Sequence, residues 1–439
     1  MSRLPTILFW SVISAAFIGP GTVTTAASAG SKFGFALLWA LVFSTVATLV
    51  LQEASGRLTI VSGLNLGQAI RRQFHGGLQG MLVLALVLGG IIFGCAAYQA
   101  GNVLGGVAGA VLGTHWPPVV LTCLLCGAAG LLLWLGTVRT VAYFLSAIVA
   151  FMGLAFLVTA FILEPPVGAI LRGSLVPDLP HGSGLLVLGL IGTTVVPYNL
   201  FLGSGMAAGQ RVQELRLGLS VSVMFGGIIS MGVLVVGTAV DSFSYGSLAT
   251  TLATNLGAGA GLLFAFGLCA AGFSSAITAP LAAAITARSL FAAGGGHAWQ
   301  ERDWRYRSVW LGVLIVGGAF GVAEVKPIPA IILAQALNGI LLPLVAVFLL
   351  LAVNDGKLMR TDHLNGRLSN FLMSVVVAVT VVLGVSNLLR AASAATHLFA
   401  PKESLILTIS TLVTLVLAVP LLRAVRSRRD FHGSHKLNT

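Results

Sequence analysis

The chain reads as a succession of long apolar runs separated by short polar breaks. A bilayer core about 30 Å thick takes roughly 20 apolar residues of helix. Twelve such spans are predicted, at residues 6–30, 35–56, 79–108, 117–137, 140–163, 184–208, 217–240, 256–287, 308–323, 327–353, 369–389 and 404–424. The fold class implied is an all-α integral membrane protein.

Two of these spans are interrupted where a simple spanning helix would not be. The first contains Gly19-Pro20-Gly21-Thr22 and the sixth contains Gly192-Thr193-Thr194-Val195-Val196-Pro197-Tyr198-Asn199. Proline lacks an N–H and clashes with the preceding turn, while neighbouring glycines lower the cost of leaving helical angles. Each span should therefore split into two half-helices. Non-helical backbone at membrane depth persists only where it is buried in protein or lines a wet cavity. The breaks fall in the first helix of each successive set of five. That pattern predicts a 5+5 inverted repeat holding a substrate between broken helices. The chain then divides into a first repeat (1–163), an outer connector with four prolines (164–183), a second repeat (184–353), and helices 11 and 12 with a basic tail (354–439).

Composition narrows the class further. With 57% hydrophobic residues, 8% charged and a mean hydropathy of +1.00, no long polar domain is accommodated. The net charge of +12 would suit a nucleic-acid ligand, but its distribution argues otherwise. With the N-terminus placed in the cytoplasm, 19 of the 24 basic residues fall in cytoplasmic segments; only Lys32, Arg172, Lys326, Arg390 and Lys402 fall outside. The positive-inside rule thus predicts a multi-pass protein of the bacterial inner membrane with both termini cytoplasmic. Lipid, not nucleic acid, accounts for the basic tail. The first apolar run has no small-residue cleavage site and is read as a retained helix. Cys123 and Cys126 have the spacing of a metal or redox pair but lack a second pair or a nearby His, and are read as apolar filler.

Residues 16–25 (AFIGPGTVTT) and 29–34 (AGSKFG) resemble the first helix of the NRAMP family of metal transporters, whose motif there is Asp-Pro-Gly-Asn. Residues 196–204 (VPYNLFLGS) resemble that family's sixth-helix motif, Met-Pro-His-Asn-Leu-Phe-Leu-His-Ser. The similarity continues through residues 271–278 (AGFSSAIT) and 335–343 (QALNGILLP). It implies a leucine-transporter-type fold and alternating access. In the family, an aspartate and an asparagine of helix 1 and a methionine of helix 6 ligate a transition metal. Here those positions read Gly19, Thr22 and Val196. The family's helix-6 histidines are replaced by Tyr198 and Gly203, and residues 98–102 (YQAGN) stand where it carries an acidic pair tied to proton movement.

The loss of charge is visible without any family. Of the twelve acidic residues only Glu53 lies within a span, one turn before Arg57, where an i, i+4 ion pair is expected. All eight histidines lie outside the spans or at their ends. At an effective dielectric of about 20, a divalent cation about 4 Å from a carboxylate gains roughly 8 kcal/mol, so losing that carboxylate forfeits about a millionfold in affinity. A soft metal has also lost its thioether.

The N-termini of the half-helices carry unpaired N–H groups and about half a positive charge, so an unneutralised centre favours a small anion. The hydroxyls of Thr22, Thr24, Thr25, Thr193, Thr194 and Tyr198 and the amides of Asn199, Gln99 and Asn102 are candidate donors, with Gly19, Gly21, Val196 and Gln335 completing the substrate site. The favoured substrate is an oxyanion such as bicarbonate, driven by Na⁺ rather than H⁺; a divalent cation, Mg²⁺ or Mn²⁺, is the alternative. By analogy with related folds, Na⁺ would lie between carbonyls near Ala15, Ala16 and Gly19 and the hydroxyls of Ser274, Ser275 and Thr278. An intramembrane enzyme would need a buried nucleophile with its base, or His and acid ligands, and the spans hold neither. No resident cofactor is implied.

Overall fold

The computed structural model describes residues 18–74, 77–136, 138–291, 299–396 and 403–430, and a helix is found within every expected span. Helix α1 (Pro20–Phe33) is the second part of span 1, whose first part lies outside the described residues. A single 3₁₀ turn (Gly34–Leu37) leads into α2 (Leu38–Ser62), which ends on Gly63 in the left-handed region (φ 71°) that glycine adopts without strain. The short α3 (Leu66–Gln73) follows, closed by a capping box between Asn65 and Gln68. Next come α4 (Gly77–Thr114), α5 (Pro118–Leu135), α6 (Val138–Ile162) and a short α7 (Val167–Leu175).

Span 6 is two helices, α8 (Gly184–Thr194) and α9 (Pro197–Ala207), separated at Val195 and Val196. The chain continues through α10 (Val212–Gly237), a short α11 (Tyr245–Leu256), α12 (Ala258–Phe291), α13 (Trp304–Val322), α14 (Pro327–Ala352), α15 (Arg367–Thr396) and α16 (Glu403–Asp430). Proline begins α1, α5, α9 and α14, where its missing N–H costs no helical bond. Among the described residues, nine stretches are long and apolar enough to cross a membrane, the first joining α1 and α2; α6 and α13 complete the expected set.

Small residues set how closely the helices pack. Helix α4 runs through the bundle against α12, α13 and α14. A Cβ on Gly272 of α12 would stand 2.4 Å from the Gly106 Cα of α4, so the two backbones touch. A Cβ on Gly30 would lie 2.0 Å from the Leu234 carbonyl oxygen, which seats α1 directly on α10. Between α1, α4, α8 and α14 lie the two interruptions.

The predicted Glu53–Arg57 pair is present at 2.9 Å, and Arg216 of α10 joins it at 2.8 Å. Arg57 also donates to the His363 carbonyl and, at 2.5 Å, to Asn365 Oδ1, so this cluster fastens α2 to α10 and to the turn before α15. The stretch 164–183 departs from a plain tether: it carries α7, and a Cβ on Gly173 would sit 2.2 Å from the Phe35 carbonyl oxygen. Amphipathic α7 gains by covering the 3₁₀ turn, a packing that its prolines did not announce. Of the basic tail, residues up to Asp430 continue α16, and Arg428 pairs with Asp355 at 3.5 Å.

Candidate functional site

Both interruptions have the geometry of a helix start. Gly19 is extended (φ −121°, ψ −174°) and is followed by Pro20, the first residue of α1; Val196 (φ −92°, ψ 121°) stands likewise before Pro197 and α9. Neither has a side-chain cap. The first N–H groups of a helix have no acceptor within its regular ladder. Pro20 and Pro197 carry no N–H, and the Asn199 N–H donates to the Val196 carbonyl at 3.1 Å. Helix α1 therefore presents the Gly21 N–H, α9 the Tyr198 N–H, and both the positive end of a dipole.

The two breaks are bridged. Thr22 Oγ1 and Thr193 Oγ1 are 2.9 Å apart, and both residues are buried. The Tyr98 hydroxyl of α4 donates to the Thr193 carbonyl at 3.1 Å, taking one of the acceptors that the end of α8 leaves open. The Tyr98 and Tyr198 rings meet edge to face with centroids 5.3 Å apart. Gln335 of α14 closes another side, because a Cβ on Gly21 would fall 2.1 Å from its Nε2.

Most of the remaining threonines satisfy their own backbone. Thr24 donates to the Pro20 carbonyl, Thr25 to Gly21 and Thr194 to Leu190, at 2.6, 2.8 and 3.1 Å. Thr24 has a second partner, the Tyr245 hydroxyl at 2.7 Å, which ties α11 over the start of α1.

Polar atoms without a hydrogen-bond partner gather here: Tyr198 OH, both amide atoms of Asn199, Gln335 Oε1, Ser275 Oγ and Asn338 Nδ2. Buried polar groups are normally paired, so these six atoms are the ones placed to receive a ligand or water. Gln99 and Asn102 are placed differently. Gln99 Nε2 donates to the Ala276 carbonyl at 3.1 Å and its stem packs against Gly317, so it joins α4 to α12 and α13 rather than to the Thr22–Thr193 bridge. Asn102 lies on the same face, its carbonyl beside Gly272 and its Nδ2 without a partner.

The expected cation ligands differ in their hydrogen bonds, though a hydroxyl that donates its proton keeps its oxygen lone pairs for a cation. Ser274 and Thr278 donate to the carbonyls of Ala271 and Ser275. Ser275 Oγ alone of the three is without a partner, and it lies 3.1 Å from where a Cβ on Gly19 would stand. Ala15 and Ala16 fall outside the described residues.

Tyr98 and Asn338 were not among the predicted site residues. Tyr98 shares a face of α4 with Gly90, Gly94, Gly101 and Gly105, which receive Leu341, Asn338, Ile331 and Pro20. That stripe of small residues at helical spacing, with one tyrosine in it, was the available signal. The chemistry of the whole set is neutral. Among the described residues no group of three or more His, Cys, Asp or Glu is placed to hold a metal ion, and Glu53 is occupied by Arg57 and Arg216.

Comparison with known proteins agrees with this architecture. Residues 11–390 match the profile of Nramp, natural resistance-associated macrophage protein-like. The chain is 28% identical to a divalent metal cation transporter MntH of Verminephrobacter eiseniae over 76% of this chain and 77% of that one. It is 26% identical to the protein of that name in Yersinia enterocolitica, over 83% and 90%. In structure it resembles the Eremococcus coleocola manganese transporter (TM-score 0.70, 18% identity, 98% and 95% covered). It resembles less closely Mhp1, a nucleobase-cation-symport-1 family transporter (TM-score 0.51, 16% identity, 96% and 92% covered). The likeness to these structures establishes the leucine-transporter-type fold, and the profile match establishes descent: this multi-pass membrane protein belongs to the Nramp family of transporters.

Proposed function

We propose that this protein is a secondary transporter that moves a small inorganic ion by alternating access through the neutral site between α1, α4, α8, α9 and α14. The function that the geometry supports best is transport of a small oxyanion such as bicarbonate. One observation carries that reading: the positions beside the two helix starts hold Gly19, Thr22 and Val196, while hydroxyl and amide groups and two uncapped N-termini surround them. Such a site offers donors and positive dipole ends, and no full negative charge to balance a bare cation. Thr22, Thr193, Tyr198, Asn199 and Gln335 are the proposed substrate-binding residues, with Gly19, Gly21 and Val196 shaping the gap. Gln99 and Asn102 are assigned to support behind it.

Inward movement of an anion against the membrane potential requires a driving ion. The proposed one is Na⁺, held at Ser275 beside the Gly19 break, in an inner membrane with both termini cytoplasmic.

Kinship favours a second reading. The relatives named above are divalent metal cation transporters, and descent alone makes a divalent cation the better-supported cargo. On that reading the site takes Mg²⁺ or Mn²⁺ with most of its water shell retained, the amide and backbone carbonyls serving as outer ligands.

Proteoliposome uptake separates the two. Under an inward Na⁺ gradient, a trapped pH dye reports alkalinisation that depends on bicarbonate, and a metal-sensitive dye reports Mn²⁺ and Mg²⁺. The oxyanion reading expects the first signal without the second; metal-dye quenching with no bicarbonate response would replace it with the cation reading.

A further inference from the structure

Away from the proposed transport site, α8, α15, α16 and the segment 177–183 line a cavity of about 430 Å³. Its walls are aliphatic, including Val187 and Leu188 of α8, Val382 of α15 and Leu407 of α16. The cavity is partly open, and Leu415 of its lining is exposed on the apolar surface of the bundle. Ser386, Thr411 and Thr414 add hydroxyls along the lining, but its charged groups stand at one end only. There Arg390 and Glu403 form an ion pair directly over Gly184, the first residue of α8: a Cβ on Gly184 would be 2.8 Å from the guanidinium and 2.9 Å from the carboxylate. Beside them Ser183 Oγ is buried and has no hydrogen-bond partner.

We infer that this cavity is a binding site for one phospholipid with a zwitterionic, primary-amine headgroup, as in phosphatidylethanolamine. The match is one of shape and charge order. An acyl chain fills the aliphatic portion and is contiguous with the bilayer where the cavity is open. The phosphate takes the free donors of Arg390 and the Ser183 hydroxyl, and the ammonium takes the second oxygen of Glu403. An anionic headgroup would place negative charge against Glu403 with no amine to offset it. A quaternary ammonium has no N–H to donate to the carboxylate. The site abuts the start of α8, whose far end carries Thr193, so the lipid packs against the half-helix that borders the transport site.

The test is lipid retention by the full-length protein, read by native mass spectrometry after exchange into mixed micelles containing phosphatidylethanolamine, phosphatidylglycerol and phosphatidylcholine in equal amounts. One retained phosphatidylethanolamine is expected in the wild type. Arg390→Gln should weaken its retention roughly tenfold, the weight of one charge-assisted hydrogen bond. Glu403→Gln should keep a lipid but lose the preference for the amine over phosphatidylglycerol. Val382→Trp, which fills the cavity without touching the ion pair, should abolish retention even if the charge variants fold poorly. Arg307→Gln, at a distant basic residue stacked on Trp134, should leave it unchanged. Equal retention of the three headgroups by the wild type, or the same bound lipid in Val382→Trp, would overturn the assignment.

Discussion

The hydroxyls of Thr22 and Thr193 meet 2.9 Å apart inside the bundle, joining the first turn of α1 to the last turn of α8 across the gap where both spans are interrupted. Thr193→Val keeps the shape and removes the bridge. Transport efficiency should fall about tenfold, the equivalent of one hydrogen bond made in the loaded state, with thermal stability lowered by only about 1 kcal/mol. Substrate titration of uptake rates and a melting curve in detergent measure the two effects separately.

By its resemblance to the first-helix motif of the family, Gly19 stands where a metal-binding aspartate is expected, and its extended backbone (φ −121°, ψ −174°) is open to any residue. The Ser275 hydroxyl, 3.1 Å from the new Cβ, is the group that must give way. Gly19→Asp is therefore expected to fold. It should gain Mn²⁺ binding detectable by calorimetry and lose oxyanion transport, because a carboxylate at this point neutralises the two helix starts.

Gly21 leaves no room for a side chain: a Cβ would lie 2.1 Å from Gln335 Nε2 and 2.8 Å from its Cδ. Gln335 is a side chain and can swing aside, so Gly21→Ala should leave a folded protein with greatly reduced transport. Gly30→Ala meets the backbone oxygen of Leu234 at 2.0 Å, which cannot swing. It should cost several times more stability, on the order of 3 kcal/mol or above. Thermal unfolding of the pair checks the contrast.

The Glu53 cluster predicts a second contrast. Arg57 is 4% exposed and Arg216 is 58% exposed in their pairs with the same carboxylate. Glu53→Gln leaves the buried Arg57 charge without its counter-ion and should lower stability by about 1–3 kcal/mol. Arg216→Gln should change it by less than about 1 kcal/mol, as for other exposed pairs. Denaturation midpoints of the two variants decide the matter.

Much of this fold was legible because bilayer thickness and backbone pairing leave the chain few options. The apolar runs, as far as the described residues cover them, the helix starts at Pro20 and Pro197, the break of span 6 and the Glu53–Arg57 pair all follow from local chemistry, and each has its counterpart in the structure. The site was legible only in outline. Residue type marked Gln99, Ser274 and Thr278 as candidates, but which groups a side chain on α4 or α12 meets depends on neighbours distant in sequence. Gln99 turns to Ala276, and Ser274 and Thr278 bond their own helix. Tyr98 was marked in sequence only by the stripe of small residues it interrupts, and its role comes from the Thr193 carbonyl 95 positions later. The short helices α3, α7 and α11 were missed because they are too short to show as spans.

The central claim is that a neutral site between two broken helices carries an oxyanion. The most direct measurement is the flux of radiolabelled bicarbonate into proteoliposomes at fixed pH, with and without an inward Na⁺ gradient, beside the flux of radiolabelled Mn²⁺ in the same preparation. The account predicts saturable bicarbonate entry that rises with the Na⁺ gradient and Mn²⁺ entry no faster than in protein-free vesicles. Saturable Mn²⁺ entry with bicarbonate at the protein-free rate would contradict it.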